Sequence, residues 1–147
     1  MALPVVTVTA NASGAVKGAK NGDVVAIIDV IDMSTTLETA LEAGAVQVFG
    51  ACPDGITVPV FVAPDRIGMA AGKRAVEENC NVVIISEPRS GPDALREARC
   101  ASVIKGVQAA GAKVAAIVPN IGAETANLVD FENTVVVAVT NSGGVAF

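Results

Sequence analysis

The chain has 147 residues, 52% of them apolar, with a net charge of −5 and no histidine. That is the length of one ordinary domain, with room for a real core. The acidic balance and the lack of a basic cluster argue against a nucleic-acid partner. No uninterrupted apolar run of about 18 residues occurs, so no membrane span is expected. Without histidine, His-based triads, His general bases and His metal sites are excluded, and any chemistry falls to carboxylates, hydroxyls, Lys, Arg or Cys.

Met1–Pro4 lacks the basic and apolar regions of a secretion signal, so a cytoplasmic protein is expected. Val5–Thr9 alternates and predicts a short strand, and Asn11–Asp23 predicts a turn or a short irregular helix. Val24–Ile28 is a continuous apolar run of the kind found in strands buried on both faces. Thr35 and Glu38 fit a capping box, and Leu37, Ala40 and Leu41 form a helical stripe that Gly44 stops. Gln47–Phe49 is the next predicted strand, completing a βαβ unit.

Pro53, Asp54-Gly55 and Pro59 mark a loop with a short strand near Val60–Val62. Asp65 can cap a helix to about Glu78, with Asp65-Arg66 as its solvated start. Val82–Ile85 is another buried strand, and Pro92 opens a helix to about Ala110 that Gly111 ends. Val114–Val118 is the following apolar run, then residues 123–129 form one or two helical turns, and Thr134–Val139 is the last strand. Strands alternating with helices over residues 1–147 predict a single three-layer α/β/α domain with a mainly parallel sheet.

Three polar clusters stand at the carboxyl ends of predicted strands. They are Asp29 to Thr36, Ser86 to Gly91, and Thr140 to Gly144. In parallel α/β sheets these ends share one edge, and ligands bind there. Asp29, Asp32 and Glu87 are hard oxygen donors suited to Mg²⁺. Ser34, Thr35, Thr36, Asn141, Ser142 and Gly143 offer side-chain or backbone donors suited to phosphate oxygens, and Arg89 adds a guanidinium. Plainer roles exist for each: a helix cap for Asp32 to Thr36, a surface ion pair for Glu87 and Arg89, a simple turn for 141–144. Cys52, Cys80 and Cys100 lack CxxC spacing and suit small buried thiols of a reducing compartment, with a nucleophilic Cys100 as the alternative. No GxGxxG or GxxxxGKS/T motif follows a predicted strand.

Val25-Ala-Ile-Ile-Asp-Val-Ile-Asp-Met-Ser-Thr-Thr36, followed by Thr39-Ala-Leu-Glu-Ala-Gly44, resembles the Asp-Val-Leu-Arg-Ala-Ser/Thr-Thr-Thr signature of the 2-phosphosulfolactate phosphatases, the ComB family. In the same order, Glu87-Pro-Arg89-Ser-Gly91 resembles that family's Gly-Glu-Arg-x-Gly segment, and Asn120-Ile-Gly122 its Asp-Leu-Gly turn. Asn133–Asn141 is similar to its Gly-Lys-Thr-Val-x-x-Thr-Thr-Asn-Gly strand. The resemblance implies an α/β/α fold and Mg²⁺-dependent hydrolysis of a small anionic phosphate monoester. Asp29, Asp32 and Glu87 would then be the catalytic and metal-binding residues, and Asn120 would join the substrate-binding set. Asp32 stands where the motif has Arg and Asn120 where the turn has Asp, and Pro88 and Ser142 interrupt the other two motifs. The alternative is a non-catalytic relative that binds a small anion or metabolite, or serves as an assembly subunit. A Val- and Ala-rich chain with few charges is compatible with a buried oligomer face, so a homo-oligomer is expected.

Overall fold

The computed structural model describes residues 5–9, 11–26, 33–58 and 61–141. By contacts the chain falls into two units, Met1–Val30 and Ile31–Phe147.

In the first unit Val5–Thr9 has no regular secondary structure and is exposed, so the strand expected there does not form. Helix α1, Asn11–Lys20, is a regular α-helix where a turn or a short irregular helix was expected. It ends in a turn in which the Asn21 and Asp23 amides donate to the carbonyls of Lys17 and Gly18, both at 3.1 Å. The strand expected over Val24–Ile28 is absent from its described part. Val24–Ala26 has no regular structure, and Val24 is fully exposed. Five apolar residues in a row are compatible with a buried strand but do not create the neighbours that would bury them.

The second unit holds the sheet. Strands β1 (Gln47–Ala51), β2 (Asn81–Ser86), β3 (Val114–Pro119) and β4 (Thr134–Val139) pair in the order β1-β4-β2-β3, all parallel. β4 is buried throughout and β2 from Val82 onwards, which is why both read as continuous Val/Ile runs. The outer strands β1 and β3 are half-buried. Parallel neighbours need crossover connections, and helices supply them. Helix α2 (Met33–Glu42) precedes β1, α3 (Pro64–Glu77) joins β1 to β2, α4 (Asp93–Arg99) and α5 (Ala101–Ala109) join β2 to β3, and a 3-10 turn at Gly122–Asn127 lies between β3 and β4.

Alternation along the strands divides the core into two layers. Val82, Ile84, Val135, Val137 and Val139 point to the face covered by α3 and α5, through Ala71, Ala75, Val103 and Val107. Val83, Ile85, Val136 and Ala138 point to the other face, against Met33, Leu37 and Ala40 of α2 and against Phe131. Helices on both faces of a parallel sheet make the expected three layers. Each fully buried Val or Ile contributes roughly 1.5–3 kcal/mol, so this double layer is the main source of stability.

Several boundaries differ from the sequence reading. Helix α2 begins at Met33, so Thr35 and Glu38 are exposed residues inside it and not a capping box. In α3 the first position is Pro64, and Asp65 stands in the first turn without a capping hydrogen bond, so the fixed φ of proline starts the helix. The single helix expected over 92–110 breaks at Cys100, whose backbone (φ −106°, ψ 4°) separates α4 from α5. Phe61 and Val62, part of the strand expected near residue 60, are outside regular structure, although the Cys52 amide donates to the Val62 carbonyl at 3.1 Å. Gly44 and Gly111 do end their helices, with φ of 94° and 87°, the left-handed conformation that suits glycine.

Candidate functional site

The strand register brings the carboxyl ends together. Ser86 of β2 stands level with Pro119 of β3 and Val139 of β4, and Val139 with Ala51 of β1. Glu87 and Asn120, directly after their strands, and Asn141, one residue beyond Thr140, therefore leave the sheet at one edge. They line a pocket of about 300 Å³ together with Pro88, Arg89 and Arg99.

Asn120 is the hub. It is buried, and its amide donates to the Ser86 carbonyl at 3.2 Å, tying β3 to β2 beyond the last paired residues. Its carbonyl accepts from Arg89 Nε at 3.1 Å. Its Oδ1 accepts from the buried Thr36 Oγ1 of α2 at 2.6 Å. A buried amide costs free energy unless its polar atoms are matched, and here α2 and the 87–91 segment supply the match.

The wall opposite is built from α4 and the loop after β1. Arg99 donates from a terminal nitrogen to Asn141 Oδ1 at 2.5 Å. Its backbone carbonyl accepts from the Asp54 amide at 2.9 Å, while Asp54 Oδ2 accepts from the Ser102 amide at 2.7 Å, in the first turn of α5. Asp54 thus caps α5 and fixes the α4–α5 junction that carries Arg99. Arg96, with a side chain only 7% exposed, donates to the Pro88 carbonyl at 3.0 Å and pairs with Asp93. It holds the 87–91 loop against α4, and the Glu87–Pro88 peptide within that loop is cis.

Of the residues expected from the sequence, the structure brings together Glu87, Arg89, Asn120 and Asn141. Thr36 reaches this group, but its hydroxyl is spent on Asn120, so it orients the hub and is not presented to a ligand. Ser34 and Thr35 are exposed on α2 and do not line the pocket, and Thr35 instead lends its carbonyl to Thr39 Oγ1. Asp29, Asp32, Ser142 and Gly143 lie outside the described residues. Arg99 is the residue that sequence reasoning missed. It sits in a helix with no motif around it, and only the spacing Arg96–Arg99, one helical turn, hinted that two cations share a face.

The donor set suits an anion. Among the described residues two guanidiniums and two carboxamides line the pocket against a single carboxylate, Glu87. Arg99 Nε is buried and has no hydrogen-bond partner. For Mg²⁺ the described residues fit poorly. No group of three acidic or thiol side chains able to hold a metal occurs among them, and one carboxylate beside two cations does not make a divalent site. The nucleophilic role considered for Cys100 does not fit either. Cys100 is fully buried, and loss of hydration pushes its thiol up to about 11 despite a hydrogen bond with Ser86. Burial also raises the Cys80 thiol, with the nearby Glu78 carboxylate adding to it.

Compared with protein-family models, with curated proteins and with solved structures, the chain matches none. Among the described residues no helix is long and apolar enough to cross a membrane.

Proposed function

We propose that the chain binds a small phosphorylated or otherwise anionic metabolite in the pocket at the carboxyl edge of the sheet. The observation that carries this reading is the convergence of Arg89 and Arg99, from two separate segments, on one pocket with Asn120 and Asn141. Guanidinium groups meet phosphate oxygens with paired N–H donors, and carboxamides fill the remaining acceptor directions. Glu87 on the same rim disfavours a ligand that is anionic all round and favours one with a neutral or donor-bearing part beside its phosphate.

The test is titration calorimetry with inorganic phosphate and then with simple phosphate monoesters. Arg99→Ala and Arg89→Ala should each weaken binding about tenfold or more, the scale of a charge-assisted contact. Affinity unchanged in both variants, or no binding at millimolar concentrations of every ester, would overturn the proposal.

A second reading adds hydrolysis of a phosphate monoester of the 2-phosphosulfolactate kind. It is favoured by one observation, a carboxylate in the same pocket as the two guanidiniums. Glu87 would act as base toward water, while Arg89 and Arg99 would stabilise charge on the transferred group. In this reading carboxylates would hold Mg²⁺, as the family resemblance implies, and the ion would supply an activated water. Turnover of an aryl phosphate that requires both Mg²⁺ and Asp29 supports it. Silence of the folded protein across a panel of esters, with phosphate still bound, leaves the binding role alone.

A further inference from the structure

The ion pair expected between Glu87 and Arg89 does not form. Arg89 Nε donates instead to the Asn120 carbonyl at 3.1 Å. Arg99 donates to Asn141 Oδ1 at 2.5 Å, and Arg96 is committed to Asp93 and the Pro88 carbonyl. Among the described residues the Glu87 carboxylate therefore has neither a hydrogen-bond nor an ion-pair partner, although two guanidiniums line the same pocket. Glu87 is also half-buried, so its charge is partly withdrawn from water with no cation to offset it. That arrangement costs free energy, and a ligand that brings its own cation recovers it.

The balance of charge in the lining narrows the ligand further. A phosphate monoester near neutral pH is close to a dianion, which Arg89 and Arg99 match between them. Glu87 is then the charge left over. A hydroxyl on the ligand would give this carboxylate a hydrogen bond but no opposite charge. An ammonium gives both, and charge-assisted bonds are the stronger kind. The pocket holds about 300 Å³, at the small end of metabolite sites, which suits a compact ester with a short carbon chain. We infer that the ligand is an aminoalkyl phosphate, with its phosphate on Arg89 and Arg99 and its ammonium on Glu87. The inference rests on the anion-binding reading above and is independent of hydrolysis. It makes Glu87 the residue that sets specificity. A zwitterionic ester is admitted, while an ester bearing a second acid meets like charge at Glu87 and is disfavoured.

The experiment is titration calorimetry at neutral pH on the full chain and on Glu87→Gln. The probes are inorganic phosphate, 2-aminoethyl phosphate, 2-hydroxyethyl phosphate and carboxymethyl phosphate, the three esters being similar in size and different in terminal charge. The native chain should bind the amine about tenfold tighter than the hydroxyl ester, with the carboxylate weakest. In Glu87→Gln the amine should weaken about tenfold, while phosphate and the carboxylate ester both tighten because a like charge has left the pocket. Such opposite movements cannot come from a damaged fold, which would weaken every ligand. Phosphate binding with no native preference for the amine, or a preference that survives in Glu87→Gln, overturns this inference and leaves the anion site standing. If neither phosphate nor any ester binds at millimolar concentration, the anion site itself fails and the inference falls with it.

Discussion

The two faces of the sheet are both apolar, yet they are built differently. On one face α3 and α5 approach so closely that backbone meets backbone. A Cβ on Gly68 would stand 2.2 Å from the Val103 carbonyl oxygen, and one on Gly106 would stand 2.3 Å from that of Asp65. The buried Ser86, on the same side of β2 as Val82 and Ile84, hydrogen-bonds with the Cys100 thiol of this cluster. On the other face α2 lies on Val83, Ile85, Val136 and Ala138, but it also carries the buried Thr36 hydroxyl to Asn120. The first face is a tightly interlocked support. Both faces reach the pocket, the first through Arg99 at the α4–α5 junction and the second through the Thr36–Asn120 link.

The sharpest way to break the first face is Gly68→Val. The added atoms would collide with fixed backbone, not with a flexible side-chain tip, so the loss should be about 3 kcal/mol or more, read from urea unfolding. A fall below about 1 kcal/mol would show that α3 and α5 separate easily and that the close contact is not what holds this face.

On the second face Thr36→Val keeps the shape and removes the donor to Asn120 Oδ1. The expected cost is about 1–3 kcal/mol, the penalty for a buried acceptor left unmatched, and Thr36→Ser should recover most of it. Because Asn120 also accepts from Arg89, Thr36→Val should weaken phosphate binding although Thr36 never meets the ligand. Unchanged affinity alongside lost stability would uncouple the two roles.

Cys100 gives a smaller, pH-dependent contribution on the first face. Its thiol is raised from 9.0 to about 11 by burial, so the folded state holds its proton more tightly than the unfolded chain does. The stability this provides is complete below pH 9 and is lost as pH rises toward 11. Cys100→Ala should flatten the fall in stability over that window, and thiol reagents at pH 8 should react with Cys100 only as the protein unfolds. The smallest effect belongs to the solvent side of α3. Arg74 and Glu78, 2.7 Å apart and one turn from each other, are both about one-third exposed, and Glu78→Gln should cost less than about 0.5 kcal/mol. A larger loss there would mean that the exposed rim of this face matters as much as its interior.

The sheet unit was legible in the residues alone. Buried parallel strands must be continuously apolar, so Val82–Ile85 and Thr134–Val139 announced themselves, and Gly44 and Gly111 marked helix ends because few other residues tolerate their backbone angles. The sequence also supplied Glu87, Arg89, Asn120 and Asn141, since polar residues just after such strands have one edge to occupy. It misjudged Val5–Thr9 and Val24–Ala26, whose apolar pattern is local while burial is a property of neighbours. The strand order, the assignment of Thr36 to Asn120 and not to a ligand, and the arrival of Arg99 in the pocket with Arg89 came from packing between distant segments. Those outcomes depend on which strand lies beside which, and residues 84 positions apart, as Thr36 and Asn120 are, leave no periodic trace in the chain.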